Sequence, residues 1–434
     1  MVKTETNNNK FPLNLIVACS IGTVLEWYDF SLYAYFAPIL SSLFFPSENP
    51  TTSIILTYSV FAIGFFARPI GAILFGHFGD RLGRKNILIF SMIMIATTTS
   101  MIGMLPTYKH IGISASVLLV ILRVLQGVAI GGEATGAGAF VIESMQNKKR
   151  GLATSLIWSS SGVGILLSSV VVAIVSWLLN YEQLSSWGWR LPFLFGILAG
   201  ILGYYLRYNT MESVSFKLIR SHKKIVRFPL MTAIKKFPAE IFITAGLYVL
   251  SAIITYLVFV YMPIYAYKII GLPYNQTMAV NNLALTCTVL LVPLAGYYSD
   301  RVGRRKILLI SSASLLLFSY PLYVLINYGT LLDLVAAQLM FAILASGFQG
   351  AITITVLEMF PVDVRFSASA FGYNLSYSMF GGTAPLIAIY LVNTFQSNAS
   401  PGLYLSFGAL IALVASYKVH NRNSQLKPLN SPSS

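Results

Sequence analysis

Residues 76–85, GHFGDRLGRK, and residues 296–305, GYYSDRVGRR, are two copies of one short segment. They coincide at five of ten positions, and every match lies 220 residues apart. The matched pairs are Gly76 and Gly296, Asp80 and Asp300, Arg81 and Arg301, Gly83 and Gly303, and Arg84 and Arg304. A second repeat follows, since Glu143 precedes Arg150, and Glu358 precedes Arg365, by the same seven residues. The chain is therefore predicted to consist of two similar halves.

Composition assigns the chain to the membrane proteins. Of its 434 residues, 56% are hydrophobic and only 10% are charged, whereas about a quarter of the residues of a soluble domain are charged. Both cysteines, Cys19 and Cys287, lie in apolar stretches, which argues against a disulfide framework or a thiolate metal site. We predict an all-α membrane protein that needs no metal or cofactor.

Twelve apolar stretches have about the length of a membrane-spanning helix, which needs roughly 20 residues. They are numbered as spans one to twelve, and their predicted limits are 14–45, 53–76, 86–105, 113–143, 151–179, 190–208, 239–267, 276–297, 307–327, 331–358, 367–393 and 401–419. The longest polar segment separates six spans from six. The predicted domains are an amino-terminal bundle (1–208), a cytoplasmic linker (209–238) and a carboxy-terminal bundle with a short tail (239–434).

The basic residues predict the orientation of these spans, because cytoplasmic loops are enriched in Lys and Arg. Of the 29 Lys and Arg residues, 24 fall on the side of the two termini and three on the other side, while Arg68 and Arg123 lie inside spans. Both termini are therefore predicted to face the cytoplasm. The net charge of +15 reflects this topology, so nucleic acid is not an expected partner.

The repeated segment has the pattern Gly-x-x-x-Asp-Arg-x-Gly-Arg-Arg/Lys after the second span of each half. In this respect the whole chain closely resembles the major facilitator superfamily, whose signature loop has this pattern. The resemblance implies two six-helix bundles related by an axis along the membrane normal, with a substrate held between them near mid-membrane. It also implies a location in the plasma membrane, which is the inner membrane of bacteria.

The charges of the repeated loop are predicted to make contacts that form in one state of the protein and break in another. Asp80 can accept hydrogen bonds from a helix amino terminus, and Arg81 and Arg84 can pair with Glu143 at the end of span four. The alternative is that the basic residues only fix the topology. The predicted gating residues are Gly76, Asp80, Arg81, Gly83, Arg84, Glu143, Arg150, Asp300, Arg301, Gly303, Arg304, Glu358 and Arg365.

Ionisable side chains inside spans are costly, at about 2.5–3.5 kcal/mol each, and are therefore candidate functional residues. Span one contains Glu26 and Asp29, span four contains Arg123 and Glu133, and span two contains Arg68. For each of these charges the alternative is a buried ion pair that only holds helices together, and this alternative carries most weight for Arg68.

Helical periodicity places these charges on two faces. The residues that share a face are Gly22, Glu26, Asp29 and Tyr33 in span one, and Gln126, Ile130, Glu133 and Ala137 in span four. If the two faces line one cavity, Arg123 can neutralise one carboxylate while another takes up a proton. The prediction is a single site for substrate and proton.

Three further motifs narrow the resemblance: EWYDF (26–30), RPIG (68–71), and RVLQG (123–127) followed by GGE (131–133). They look like the metabolite:proton symporter branch, which includes carriers of proline and glycine betaine, α-ketoglutarate, citrate and shikimate. The resemblance assigns the span-one acids and the span-four Arg and Glu to substrate and proton handling. The Gly-Pro pair of antiporters is missing from span five, where the sequence is SSSGVGILLSS (159–169). This difference favours uptake over efflux.

The balance of buried charges suggests the substrate. A dicarboxylate or tricarboxylate needs two or more cationic partners. Only Arg123 and Arg68 are available, and the three acids Glu26, Asp29 and Glu133 leave the interior neutral to negative. Carboxylates beside aromatic rings suit an ammonium group, and one arginine suits a single carboxylate. We predict a zwitterionic osmolyte such as proline or glycine betaine. The predicted substrate and proton site consists of Glu26, Asp29, Arg123, Glu133, Trp27, Tyr28, Tyr33 and Gln126.

Two alternatives remain at this point: proton symport of a dicarboxylate or tricarboxylate such as α-ketoglutarate or citrate, and drug:proton efflux. An enzyme is not expected, because the chain lacks the Gly-x-Ser-x-Gly, His-Glu-x-x-His and Gly-x-x-x-x-Gly-Lys patterns. The expected partners are a small-molecule substrate, protons and the lipid bilayer, and we expect a monomer.

Overall fold

The computed structural model of the protein describes residues 13–82, 84–145, 149–208 and 228–419. Within these ranges the regular structure is helical, and eleven helices are long and apolar enough to cross a membrane. A further helix, Arg190–Tyr208, occupies the predicted position of span six. The predicted all-α fold with twelve membrane helices is confirmed.

The spans have the following limits: one, Leu13–Tyr35 and Ala37–Phe44; two, Pro50–Phe66 and Arg68–Leu82; three, Arg84–Met104; four, Ile113–Ile130 and Glu133–Glu143; five, Arg150–Leu178; six, Arg190–Tyr208; seven, Pro238–Ile253, Ile254–Val260, Met262–Tyr265 and Ala266–Ile270; eight, Tyr274–Val302; nine, Arg304–Ile326; ten, Leu331–Met359; eleven, Arg365–Ser376, Tyr377–Gly381 and Ala384–Phe395; twelve, Pro401–Lys418. Short helices at Tyr108–Ile111, Tyr181–Gln183, Leu184–Gly188 and Pro229–Lys236 lie between spans.

Five spans are interrupted in the membrane, where the sequence predicted continuous helices. Pro69 lacks the N–H that would bond to the carbonyl of residue 65, and span two breaks at Ala67. Span four breaks at the Gly131–Gly132 pair, and span one breaks at Phe36. Spans seven and eleven widen into π-helical turns, which occur most often at functional sites.

Glycines bring spans two and four into close contact. A Cβ atom at Gly127 would lie 1.8 Å from the carbonyl oxygen of Gly64, and one at Gly71 would lie 1.9 Å from that of Val128. Any larger residue at these positions would push the helices apart. Along this contact the backbone of Arg123 lies beside Gly64, and the backbone of Arg68 lies beside Gly131.

The two halves meet mainly where span five packs on span eight and span two packs on span eleven. The short helix Pro229–Lys236, inside the predicted linker, packs against spans two and eleven. The rest of the predicted linker, residues 209–227, lies outside the described residues, as do both tails. The predicted domain limits therefore stay a prediction.

Candidate substrate and proton site

Arg68 forms a direct ion pair with Glu26 in the buried centre of the protein. Its Nη2 atom lies 3.0 Å from Glu26 Oε1, and both side chains are at most 2% exposed. The second half holds the same guanidinium, because Arg68 Nη2 donates to the Tyr373 hydroxyl at 3.1 Å and Nε donates to Asn374 Oδ1 at 3.0 Å. Arg68, the intramembrane charge for which the helix-holding alternative carried most weight, is thus shared between the halves.

Asp29 is reached by Arg123 only through an amide. Arg123 Nη1 donates to Gln126 Oε1, and Gln126 Nε2 donates to Asp29 Oδ2. Among the described residues, neither Arg123 nor Asp29 has an oppositely charged partner within ion-pair distance. The Nε and Nη2 atoms of Arg123 are buried and have no hydrogen-bond partner among the residues that the structure describes.

Thr99 completes the surroundings of Asp29. Its hydroxyl oxygen lies 2.6 Å from Asp29 Oδ1 and 2.7 Å from the carbonyl oxygen of Ile95. A hydroxyl group has one hydrogen, so it can donate to only one of these oxygens in full. An ionised Asp29 would take that hydrogen, whereas a protonated Asp29 would itself donate to Thr99 and release the hydroxyl to Ile95.

The aromatic rings of span one are divided between the arginines and the second half. The Cζ atom of Arg123 lies 4.3 Å from the ring centre of Phe30 and 4.4 Å from that of Tyr33, and Arg68 Cζ lies 5.6 Å from the Phe30 ring on its own side of the site. These rings therefore already stabilise the protein's own cations. Tyr33, which was predicted to lie beside the substrate, thus stacks on Arg123.

Trp27 instead contacts rings of the second half. It stacks on Tyr256 with ring centres 5.8 Å apart and packs edge-on against Tyr377 at 5.8 Å. Its indole nitrogen and the Tyr256 hydroxyl are buried without a hydrogen-bond partner among the described residues. Trp158 of span five lies 6.3 Å from Trp27 and forms part of the wall of a small cavity between spans five, seven, eight and ten.

Of the other predicted site residues, Tyr28 lies apart from the arginines. Its hydroxyl donates to the carbonyl oxygen of Pro192 at 2.8 Å, and its ring packs against Phe195 of span six. Glu133 begins the second helix of span four, but its side chain lies outside the described residues.

The repeated loop of the second half binds the first half. Asp300 accepts hydrogen bonds from the backbone N–H groups of Gly151, at 3.0 Å, and Leu152, at 3.2 Å, at the amino terminus of span five. Arg304 donates to Asp300 at 3.2 Å and also pairs with Glu358. Asp300 therefore makes the type of helix-terminus contact that was predicted for Asp80. The side chains of Asp80, Arg81 and Arg84, and Gly83 as a whole, lie outside the described residues.

A second contact between the halves lies near the repeated loops and joins Glu143 to Arg365 of span eleven at 3.2 Å. Both side chains are 1% exposed. The Arg365 Nε atom also donates to the carbonyl oxygen of Leu357 at 2.8 Å. Gly76 packs directly on Ser367, since a Cβ atom there would lie 3.2 Å from the Ser367 Cα atom. We call this region, where the repeated loops lie, the signature end.

The remaining predicted gating residues make local contacts. Arg150 donates to the carbonyl oxygen of Met145 at 3.3 Å. Arg301 stacks on the ring of Tyr297 at 4.3 Å. Gly303 has a φ of 103°, which a residue with a side chain rarely adopts, so a glycine is required at this turn.

The halves also touch at the opposite end. Tyr35 of span one donates to the carbonyl oxygen of Phe259 at 2.8 Å, and Asn281 Nδ2 donates to the same oxygen at 3.0 Å. Tyr58 and Tyr261 pack edge-on, with ring centres 6.0 Å apart. The buried charges are therefore enclosed by contacts between the halves on both sides.

The predicted substrate and proton site did not include several residues of this centre: Phe30, Arg68, Thr99, Tyr256, Tyr373, Asn374 and Tyr377. Arg68 was visible as an intramembrane charge, and Phe30 belongs to the EWYDF motif. The others are neutral residues of apolar spans and carry no comparable signal.

This fold, with buried charges between two similar helical bundles, defines a membrane transporter of small molecules rather than an enzyme. The family model of the Major Facilitator Superfamily matches residues 19–385 and, in a second match, residues 246–432. The chain belongs to this superfamily, as the resemblance implied.

Two bacterial relatives are similar over nearly the full chain. The inner membrane metabolite transport protein YhjE of Escherichia coli (strain K12) is 35% identical over 427 residues, 95% of this chain and 94% of that protein. The proline/betaine transporter of the same strain is 33% identical over 410 residues, 92% of this chain and 81% of that protein.

A solved structure of the proton:xylose symporter XylE, bound to 6-bromo-6-deoxy-D-glucose, has the same fold. Its TM-score is 0.74 at 17% identity, and the match covers 94% of this chain and 96% of that chain. At this identity the likeness shows the fold alone.

Proposed function

We propose that this protein is a proton-coupled symporter that imports a small zwitterionic solute such as proline or glycine betaine. The observation that carries the proposal is the unequal pairing of the two buried arginines. Arg68 is already paired with Glu26, whereas two nitrogen atoms of Arg123, Nε and Nη2, have no hydrogen-bond partner among the described residues. One available guanidinium matches one substrate carboxylate, and a second carboxylate would have no free cation to meet.

The aromatic rings of Trp27 and Tyr256 suit the ammonium group of a zwitterionic substrate. Trp27 of the first half and Tyr256 of the second stack almost parallel, at an interplanar angle of 23°. When the halves part, the two ring faces become available to a substrate ammonium group, which interacts favourably with such faces. A relative of this chain, similar over 92% of its length, is named for proline and betaine.

Asp29 is the proposed proton carrier. It is fully buried, it has no direct ion pair among the described residues, and Thr99 can serve it either as donor or as acceptor. Protonation would therefore exchange one satisfied hydrogen-bond arrangement for another, with little cost in polar contacts. Glu26, held by Arg68, is the less available carboxylate.

The contacts at the signature end are proposed to open and close during the transport cycle. Asp300 on the amino terminus of span five, and Glu143 on Arg365, each join one half to the other. The same proposal places both termini in the cytoplasm, the protein in the bacterial inner membrane and the complete transport path within one chain.

The test is uptake into proteoliposomes of the purified protein, with an imposed inward proton gradient. Labelled proline, glycine betaine, α-ketoglutarate and citrate are supplied in turn, and a protonophore is the control. Accumulation of proline or betaine that the protonophore abolishes is the expected result. Accumulation of the diacid or triacid alone would refute the zwitterion assignment, and proton-driven export of a cationic drug would refute import.

A further inference from the structure

Two polar side chains of span eleven, Asn374 and Ser378, lie one helical turn apart and bond to the first half. Ser378 donates to the carbonyl oxygen of Phe65 at 2.5 Å. That carbonyl has no donor four residues further on, because residue 69 is proline. The serine of one half therefore satisfies a backbone group that is freed by the break in span two of the other.

Asn374 likewise donates a hydrogen bond to a backbone carbonyl at the break in span four. Its Nδ2 group donates to the carbonyl oxygen of Gly131 at 2.6 Å, and its Oδ1 atom accepts from Arg68 Nε at 3.0 Å. One amide thus contacts the broken backbone of span four and the arginine that pairs with Glu26. Asn374 is 1% exposed, so water cannot replace these bonds while the halves are together.

Both donors have a second acceptor on their own helix. Asn374 Nδ2 lies 2.8 Å from the carbonyl oxygen of Ala370, and Ser378 Oγ lies 2.6 Å from that of Asn374. Each acceptor is four residues earlier, the usual partner of a polar side chain that bonds back to its helix. If span eleven moves away from the first half, both donors stay satisfied, while the Phe65 and Gly131 carbonyls pass to water.

We propose that Asn374 and Ser378 form a reversible latch between the halves, which closes on the breaks of spans two and four and holds Arg68 in line with Glu26. They are positioning residues, since they act through backbone and Arg68 contacts. The latch couples the state of the charged site to the separation of the halves. It goes beyond the proposed function, because it requires no particular substrate.

The test measures distances between spin labels in detergent-solubilised and liposome-reconstituted full-length protein. Cys19 and Cys287 are first replaced by alanine. Pairs of labels are then placed at exposed positions, Lys149 and Lys306 at the signature end and Lys109 and Tyr328 at the opposite end. The populations of short and long distances report how often the halves are closed at each end.

Ser378→Ala is expected to lower the ratio of closed to open molecules at one end or both by between about twofold and tenfold, the usual effect of one buried hydrogen bond. Ser369→Ala is the matched control, because the hydroxyl of this buried serine of the same span bonds, among the described residues, only to its own helix, at the carbonyl oxygens of Arg365 and Phe366. Ser378→Thr keeps the hydroxyl and should restore the ratio. Asn374→Leu should have a larger effect, since it also frees Arg68 Nε.

Distance populations in Ser378→Ala that equal those of Ser369→Ala would overturn the proposal, provided that both variants elute as folded protein with equal melting temperatures. If Asn374→Leu does not fold, the comparison of Ser378→Ala with Ser378→Thr still decides. The distances do not depend on any substrate, so a failure of the zwitterion or proton assignment leaves this test unaffected.

Discussion

At the scale of single residues, the two buried carboxylates of span one have different partners, and this difference predicts different consequences of neutralising them. Glu26 has a full cation beside it, whereas Asp29 accepts hydrogen bonds from neutral groups, Thr99 and Gln126. A carboxylate that is bound only by neutral donors can gain a proton without leaving a bare cation behind.

We expect Asp29→Asn to abolish accumulation of the substrate against a gradient while leaving exchange of internal for external substrate measurable. The asparagine keeps the size of the side chain but cannot carry a proton across the membrane. The measurement compares proton-driven uptake with counterflow in the same proteoliposomes. Asp333→Asn is the control, since Asp333 lies in the first turn of span ten and is not buried. Normal concentrative uptake in Asp29→Asn would contradict the assignment.

Neutralising one member of the Arg68–Glu26 pair should destabilise the protein. Arg68→Gln leaves the Glu26 carboxylate buried without its cation, which costs about 3–5 kcal/mol in comparable sites. The double variant Arg68→Gln with Glu26→Gln removes both charges and should recover much of that loss. Melting temperatures of the purified variants, combined as a double-mutant cycle, measure this coupling. Additive effects of the two substitutions would show that the pair is energetically unimportant.

At the scale of elements, close helix packing depends on glycines that leave room for a neighbouring backbone. We expect Gly127→Ala to lower the melting temperature and the yield of folded protein, because the new methyl group would overlap the Gly64 carbonyl at 1.8 Å. Gly138→Ala, on the same span, is the matched control, since its methyl group would meet only side-chain atoms of Leu357 and Thr353 at 3.1 Å or more. Equal stability of the two variants would refute this account of spans two and four.

The helix breaks have different origins, and only some of them lie at residues that interrupt a helix in the sequence. The breaks at Pro69 and at Gly131–Gly132 could be read from residues that interrupt a helix. The π-helical turn at Ile254–Val260 lies in apolar sequence without glycine or proline, so its position depends on tertiary packing. The turn at Tyr377–Gly381 ends at a second glycine pair, Gly381–Gly382.

At the scale of the whole molecule, the contacts of the signature end should control how often that end opens. We expect Asp300→Asn to increase opening there, because the neutral amide is a weaker acceptor for the Gly151 and Leu152 N–H groups and no longer pairs with Arg304. The rate at which a maleimide labels a cysteine at Ser159, in the cavity wall, measures the access. The same cysteine in the Asp333→Asn background is the reference, and equal labelling rates would contradict a gating role for Asp300.

The sequence by itself determined the class of the protein, the number of its spans, its duplication and the acids of its centre. These properties depend on composition, on helical periodicity and on a local motif, all of which act within one span or one loop. The meeting of Asp29 with Gln126 follows from the two helical faces that the periodicity predicted.

Only the tertiary structure decided which arginine pairs with which acid. A helical face predicts which residues point the same way, but it does not fix the rotation of one helix against another across the membrane. Arg68 therefore pairs with Glu26, and Asn374, which is more than 300 residues from Arg68 in the sequence, accepts a hydrogen bond from the Arg68 guanidinium. The rings of span one lie beside the arginines for the same reason, since the packing of span one on spans two and four brings both guanidinium groups to the ring of Phe30.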